Sequence, residues 1–162
     1  MDTYQFRWLH YDVMANVLCQ IRGRKRLVLF PPHDIMHLGF EPGASSSSIN
    51  VFEHLQDPCL SVTHPCEAIL EPGDILFIPS LWLHTAKPET GVSVAVNVFF
   101  RDLKTGYGVG RDVYGNRDLQ PYEKGRQDIK KIIKAFDKLP KAAQNFYLHR
   151  LAAEFQQKSL NI

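Results

Sequence analysis

Cysteines and long apolar segments are both scarce in this sequence. Its 162 residues include three cysteines (Cys19, Cys59 and Cys66), an odd number whose spacing matches no common zinc site. With no recognisable signal peptide, this favours reduced thiols in the cytoplasm or the nucleus. No apolar segment approaches the roughly 18–20 residues that a membrane-spanning helix needs, which predicts a soluble intracellular protein.

A strong overall charge is also lacking, but the charge that exists is unevenly placed. The formal net charge is +2. Residues 1–120 contain 10 Lys and Arg against 13 Asp and Glu, whereas residues 121–162 contain 9 against 4, a net charge of +5 for that segment. A basic segment of this kind binds anions or RNA in some proteins and is only the solvated face of a helix in others. Charge alone leaves both interpretations open.

Short β-type segments separated by turns run through the first 120 residues. The pattern predicts that residues 15–21 and 25–30 form a strand–turn–strand unit around Gly23 and that 75–79 is a buried strand. Residues 41–48, with four consecutive serines, are expected to form a loop. Further strands are predicted over residues 5–9, 64–70 and 91–100.

The apolar period changes to that of a helix from about residue 121. Ile129, Ile133 and Phe136 share one helical face, and Pro140 is expected to end this helix. A second amphipathic helix follows, with Leu148 on its apolar face. Several short strands followed by two helices predict a mainly β antiparallel barrel with a C-terminal helical pair.

Two histidines and one aspartate are candidate metal ligands. His10 and Asp12 are two residues apart, so in an extended segment their side chains point to the same side. His84 ends a segment that follows a tight turn and an apolar run, and it would complete the set from another strand. Two histidines and one carboxylate hold Fe(II) on one face and leave the remaining positions open to a co-substrate and O₂.

Three further polar residues are candidates for a co-substrate pocket beside the metal. Lys25 opens a strand and supplies a cation for an anionic co-substrate, although it also suits a solvated basic hairpin. Asn16 has the same side-chain parity as His10 and Asp12. Asn97 interrupts a run of valines, where a buried amide without partners would cost about 1–3 kcal/mol. It therefore faces a polar cavity or satisfies an internal hydrogen bond.

The remaining histidines carry no clear ligand spacing. His33 and His37 are separated by one helical turn, and this pair is interpreted as surface or structural. His54, His64 and His149 have no histidine at such a spacing.

Three segments resemble the JmjC/cupin-8 branch of Fe(II)- and 2-oxoglutarate-dependent oxygenases. They are HYDVMAN (10–16), GRKRLVLF (23–30) and EPGDILFIPSLWLH (71–84). Later segments, YGNRD (114–118), KLP (138–140) and NFYLHR (145–150), resemble the members of that branch that hydroxylate tRNA in the wybutosine pathway.

The resemblance implies a double-stranded β-helix of the jelly-roll, cupin type. It implies that His10, Asp12 and His84 bind iron, that Lys25 pairs with the distal carboxylate of 2-oxoglutarate, and that Asn16 and Asn97 line the same pocket. The implied reaction hydroxylates a hypermodified guanosine beside the anticodon of phenylalanine tRNA. The implied partners are tRNA and a second copy bound through the C-terminal helices. The candidate tRNA contacts are Lys124, Lys131, Lys134 and Lys138.

Relatives in this family have early barrel strands, and a tyrosine that contributes to the 2-oxoglutarate site, before the first metal-binding motif. Here that motif begins at residue 10, so residues 1–120 are expected to be the C-terminal portion of an N-terminally incomplete JmjC/cupin barrel, and 121–162 a helical extension for dimerisation or substrate binding. Two other functions stay open: a JmjC protein hydroxylase or demethylase, and a non-catalytic cupin remnant that acts as an interaction module.

Overall fold

The computed structural model describes residues 8–89, 91–107 and 118–160. The chain divides into two compact units, residues 1–120 and 121–162. The first unit contains short strands and turns: β1 (Leu9–Tyr11), β2 (Ala15–Arg22), β3 (Lys25–Phe30), a 3-10 turn (Pro32–His37), β4 (Ser46–Ser47), α1 (Val51–His54), a second 3-10 turn (Pro58–Leu60), β5 (Cys66–Leu70), β6 (Ile75–Ile78), β7 (Leu83–Pro88) and β8 (Val94–Phe100). Two long helices follow: α2 (Gln120–Phe136) and α3 (Lys141–Leu160).

The strands form two antiparallel sheets. The larger sheet has the strand order β4-β1-β7-β3-β5 and the smaller has the order β6-β2-β8. This confirms the predicted mainly β antiparallel fold with two C-terminal helices. Within the predicted loop over 41–48, Ser46 and Ser47 form the short strand β4, which pairs with His10 and Leu9 of β1. Most of the predicted strand over 5–9 and of the motif over 114–118 lies outside the described residues.

The predicted strand–turn–strand unit around Gly23 is present, but its two strands do not pair with each other. β2 pairs with β6 and β8, whereas β3 pairs with β5 and β7, so the chain passes from one sheet to the other at this turn. Gly23 has a φ of 70°, a conformation that glycine adopts at little cost. The buried Gln20 amide donates hydrogen bonds to the carbonyl oxygens of Arg22 and Gly23 at 2.8 and 2.7 Å. These bonds stabilise a corner between sheets, which a local sequence pattern cannot distinguish from a hairpin.

The strand β3 is buried on both of its faces. Val28 and Phe30 belong to one apolar cluster, together with Leu9 and Leu83 of neighbouring strands. Leu27 and Leu29 point the opposite way into a second cluster with Leu18 and Ile78. This explains the continuous apolar run of β3, since a strand covered on both sides does not alternate with polar residues. The second cluster forms the apolar side of the space between the two sheets.

The outer face of the smaller sheet is apolar and exposed. Residues 75–79 were predicted to be a buried strand, but Ile75 and Phe77 of β6 are 69% and 52% exposed, and only the opposite face is covered, as at Ile78. Val96 and Val98 of β8 are 51% and 54% exposed. The prediction failed because an apolar run shows that a face avoids water but not which segment covers it. Within the first unit, none of the described residues covers this face.

The second unit consists of two helices that carry no buried residue. The predicted apolar face of α2 includes Ile129 and Ile133, which are 43% and 47% exposed. The helix ends at Phe136, before the predicted stop at Pro140, and Pro140 instead precedes α3, where its carbonyl accepts a hydrogen bond from the Gln144 N–H at 3.0 Å. In the described part of the chain, the helices lack the length or apolar character needed to cross a membrane.

Candidate metal centre

Two histidines meet across adjacent strands of the larger sheet. His10 of β1 is paired in register with His84 of β7, and their ring centroids are 4.4 Å apart. Asp12 follows β1, and its Oδ2 lies 3.6 Å from Nε2 of His84. One ligand atom from each of the three residues can be chosen so that all lie within 4.8 Å of one another. The structure therefore brings together the three predicted metal ligands, two of them, Asp12 and His84, buried.

Both histidine rings are oriented by backbone carbonyl groups. Nδ1 of His10 lies 2.9 Å from the carbonyl oxygen of Trp8, and Nδ1 of His84 lies 3.0 Å from that of Trp82. A carbonyl oxygen only accepts hydrogen bonds, so each Nδ1 carries the proton. The lone pair is then on Nε2 of each ring, which is the state that a metal ligand requires.

The backbone around Asp12 is held by two contacts from later segments. The Leu81 N–H donates to the Asp12 carbonyl oxygen at 2.8 Å, and the Tyr107 hydroxyl donates to that of Val13 at 3.2 Å. Leu81 has a φ of 66°, and among the described residues it is the one non-glycine residue with positive φ. Such a conformation costs about 1–3 kcal/mol and persists where the surroundings enforce it. Here it places the donor that fixes the segment carrying the carboxylate.

The candidate ligands open into a cavity of about 280 Å³ between the two sheets of the first unit. The larger sheet contributes polar side chains and the smaller sheet contributes amides, with aliphatic groups from both. The lining residues are His10, Lys25, Leu27, His84 and Ala86 from the larger sheet and Asn16, Leu18, Ile78, Ala95 and Asn97 from the smaller.

The three predicted co-substrate residues all line this cavity. Lys25 is the first residue of β3, the strand that pairs with β7 and its His84. Asn97 lies two residues after Ala95 on β8, and both line the cavity. The alternation of Asn97 with the valines predicted this orientation. Asn16 is 2% exposed. The two histidines of the candidate metal site and the one lysine among the lining residues therefore share one cavity.

An iron ion with a bound water fits this space on two grounds. Two imidazoles and one carboxylate are the donor set of non-haem Fe(II) sites. In addition, the Oδ1 atom of Asn16 is buried and has no hydrogen-bond partner among the described residues. A buried polar atom left unpaired costs about 1–3 kcal/mol, so a donor in the cavity, such as a water on a metal, would be stabilised there.

The four candidate tRNA-contact lysines belong to the second unit and are not among the residues that line the cavity. Lys124, Lys131 and Lys134 are exposed on α2, and Lys138 is exposed just after it. Lys131 also pairs with Asp128 at 2.8 Å, as expected for a solvated helix face. The structure thus places three of these lysines on α2 and the fourth just after it, without adding a feature that is specific to RNA.

Sequence reasoning missed a second cluster of titratable side chains. His33 is interpreted above as a partner of His37, but in the structure it lies beside Asp34 and His64. The Asp34 carboxylate is 1% exposed and accepts hydrogen bonds from the backbone N–H and the ring Nδ1 of His64, at 2.7 and 3.0 Å. A separation of 30 residues between Asp34 and His64 leaves no local pattern to detect. The one signal in the sequence was that Asp34 lies beside apolar residues of the turn, which is compatible with a buried side chain.

Burial would raise the pKa of Asp34, but the hydrogen bonds from His64 and the nearby imidazole of His33 outweigh it and hold the pKa below the ordinary value of 3.8. A carboxyl group with a lowered pKa stabilises the fold above pH 3.8, and this stability is lost as the pH falls below that value. We expect Asp34→Asn to lower the free energy of unfolding by about 1–3 kcal/mol at pH 7. Urea unfolding of both chains at a series of pH values should show that the difference in their free energies of unfolding decreases below pH 3.8. A difference that stays constant there would contradict the stabilising role assigned to the ionised Asp34 carboxylate.

Two antiparallel sheets around a cavity with two histidines and an aspartate are typical of a small metal-binding β domain. The chain belongs to the cupin-like domain family, whose model matches residues 2–106. This confirms the cupin resemblance of the motif segments.

Curated relatives carry names from one tRNA modification pathway. Proteins named tRNA wybutosine-synthesizing protein 4 are 65% identical over 147 residues in Gibberella zeae and 64% identical over 154 residues in Aspergillus oryzae. These matches cover 91% and 94% of this chain but 14% and 15% of the relatives. The human tRNA wybutosine-synthesizing protein 5 is 36% identical over 154 residues, covering 94% of this chain and 48% of that protein. The chain therefore spans less than half the length of these relatives.

Solved structures show only distant similarity. The X-ray structure of Escherichia coli ycfD has a TM-score of 0.41 and 19% identity, covering 84% of this chain and 38% of that chain. A structure of the same protein, described as a ribosomal oxygenase in complex with cobalt and 2-oxoglutarate, has a TM-score of 0.37 and 18% identity, covering 79% and 35%. Scores of this size are too low to establish a common topology.

Proposed function

We propose that this chain carries the Fe(II)- and 2-oxoglutarate-binding centre of a hydroxylase that acts on a hypermodified guanosine of tRNA in the wybutosine pathway. The observation that carries the proposal is the cavity, which is lined by His10, His84 and Lys25, with Asp12 grouped beside the two histidines. The names of the curated relatives support the choice of tRNA as substrate.

Different side chains would bind the metal and the co-substrate. His10, Asp12 and His84 would hold the iron through two Nε2 atoms and one carboxylate oxygen, and Lys25 would pair with the distal carboxylate of 2-oxoglutarate. Bound Fe(II), 2-oxoglutarate and O₂ together supply the chemistry that inserts one oxygen atom into a C–H bond. The protein would supply open coordination positions and a fixed cation, in a cavity lined by both polar and aliphatic side chains.

The substrate is tested with the 162-residue chain, Fe(II), 2-oxoglutarate and phenylalanine tRNA that carries the unhydroxylated wybutosine precursor. We expect one nucleoside to gain the mass of one oxygen atom, with release of one succinate, and the Asp12→Ala variant to give neither. Peptides serve as a parallel substrate arm. Oxygen transfer to a peptide with unchanged tRNA would overturn the tRNA assignment, and metal-bound protein that consumes no 2-oxoglutarate in either arm would show that this chain alone is not the enzyme.

The lysines of α2 are proposed to contact tRNA phosphates. We expect the double variant Lys124→Ala, Lys134→Ala to weaken tRNA binding and to lower the slope of log affinity against log salt by about one for each lost phosphate contact. Filter binding at several salt concentrations measures this slope. The matched control is Lys158→Ala, an exposed lysine near the end of α3. An equal change in the control would assign the effect to net charge rather than to this face.

The same helices are proposed to form a homodimer. Ile133 of α2 and Leu148 and Phe155 of α3 are 47%, 38% and 59% exposed, an apolar surface that a second copy would cover. Light scattering behind a sizing column should give twice the mass of the chain, and Phe155→Lys should shift it toward the monomer. A wild-type chain that is monomeric at high concentration would contradict this proposal.

A further inference from the structure

A second group of two histidines and one aspartate lies outside the cavity. His33 and Asp34 belong to the 3-10 turn over Pro32–His37, and His64 lies two residues before β5. Their three potential ligand atoms lie within 4.8 Å of one another, and the group shares no residue with the candidate iron site. Two sequence-distant segments thus present the same kind of donor set for a second time.

The spacing of these atoms is close to that of a tetrahedral metal site. Oδ1 of Asp34 is 3.0 Å from Nδ1 of His64 and 3.5 Å from Nε2 of His33. When zinc binds nitrogen and oxygen ligands at about 2.0–2.1 Å, tetrahedral geometry separates the ligands by roughly 3.3 Å. The two measured distances bracket this value. Two of the three ligand separations thus suit one ion, and the third pair of atoms, on His33 and His64, lies within 4.8 Å.

The two oxygens of Asp34 have separate roles. Oδ2 accepts the backbone N–H of His64 at 2.7 Å, which anchors the carboxylate and leaves it 1% exposed. Oδ1 is the atom that faces both imidazoles. Without a metal, a proton occupies the space between Oδ1 and the ring of His64, and a cation in its place would keep the Oδ2 anchor. Metal binding at this position consequently requires no loss of the structural contact.

The histidines leave the group accessible to an ion from solvent. The side chains of His33 and His64 are 68% and 67% exposed, so the fourth position would be open to water. Imidazole with one carboxylate suits zinc and its neighbours in the first transition series better than magnesium or calcium, which prefer oxygen ligands.

We propose that His33, Asp34 and His64 bind one zinc-like divalent transition-metal ion, independently of the iron site and of the proposed catalytic function. The ion would join the 3-10 turn over Pro32–His37 to the segment that leads into β5. Since the two segments are 30 residues apart, the ion would act as a structural clamp that stabilises the folded chain.

The test counts zinc ions in a chain without a histidine tag. The exposed cysteines Cys59 and Cys66 are replaced by serine in every variant, because thiolates also bind zinc. His84→Ala empties the candidate iron site, and zinc binding is then measured by calorimetry and by the absorption of Co(II) as a substitute. In this background we expect one ion per chain with a tetrahedral Co(II) spectrum, and a higher Tm when zinc is present.

His33→Gln and His64→Gln should each weaken this binding by at least tenfold and remove the rise in Tm. Both side chains are largely exposed, so the variants are expected to fold, and circular dichroism verifies this. His37→Gln is the matched control, because His37 is an exposed histidine of the same turn outside the cluster. Absence of binding in the His84→Ala background, or an equal loss in the His37→Gln control, would overturn the proposal. Failure of the tRNA reaction would leave this outcome unchanged.

Discussion

Replacing Asp12 with alanine is expected to abolish metal binding in the cavity between the sheets. Asp12 supplies the one carboxylate of the candidate centre and approaches His84 Nε2 within 3.6 Å. Without it, two neutral imidazoles remain to hold a divalent cation. Loss of a residue that only orients a ligand typically costs about 10–100-fold in affinity, and loss of a ligand itself costs more. We therefore expect the affinity for Mn(II), used in place of Fe(II), to fall by more than about 100-fold.

Calorimetric titration of Mn(II) measures this loss. Carrying His33→Gln in every protein keeps the His33–Asp34–His64 cluster out of the count. The matched control is Asp57→Ala, because Asp57 forms a pair with His54 at 2.7 Å on the surface, far less buried than the pair of Asp12 and His84. If the Asp12→Ala chain binds Mn(II) as tightly as the control does, the cavity is not the metal centre.

Replacing Lys25 with alanine is expected to weaken 2-oxoglutarate binding by about 10–100-fold while leaving the metal affinity unchanged. A hydrogen bond between charged groups contributes about 1.5–3 kcal/mol, and each 1.4 kcal/mol corresponds to a factor of ten. Lys25 is the one cation among the residues that line the cavity, and the aliphatic neighbours Leu27 and Ile78 offer no replacement. The effect should therefore fall on the co-substrate and spare the metal.

The measurement is the binding of 2-oxoglutarate to chains preloaded with Mn(II). Arg24→Ala is the matched control, because Arg24 is the preceding cation in the sequence but is exposed and pairs with Glu71 at 2.6 Å. The variant Lys25→Arg keeps the positive charge but changes the shape of the side chain, so it should retain part of the affinity for 2-oxoglutarate. Equal losses in Lys25→Ala and Arg24→Ala would indicate a general electrostatic effect, and the proposed contact to the distal carboxylate would then be wrong.

Much of the cavity follows from side-chain parity in the sequence. The alternation along β8 placed Asn97 opposite the valines, and the two-residue spacing placed His10 and Asp12 on the same side. Strand β3 was located to the residue, because its apolar run stops at a pair of prolines. These features depend only on local geometry, which the sequence encodes directly.

Features that depend on distant segments escaped prediction. The corner at Gly23 looks locally like a hairpin, since both need a residue with positive φ, and the choice depends on which strands arrive later in the chain. β4 consists of two serines, whose pairing with β1 reflects the position of that strand rather than any β propensity. The positive φ of Leu81 and the contact between Asp34 and His64 are likewise imposed by tertiary structure.

The carbonyl oxygens that orient His10 and His84 belong to the main chain of Trp8 and Trp82. This affects how the candidate centre tolerates substitutions at these two positions. A main-chain acceptor is present whichever amino acid occupies the position. The tautomer of each ligand is thus insulated from mutation at the residue that sets it, in contrast to centres where a carboxylate side chain plays this part. An exchange of the exposed Trp8 is therefore expected to leave the candidate ligand nitrogen of His10 in place, whereas an exchange of Trp82 would in addition disturb its packing against the second apolar cluster.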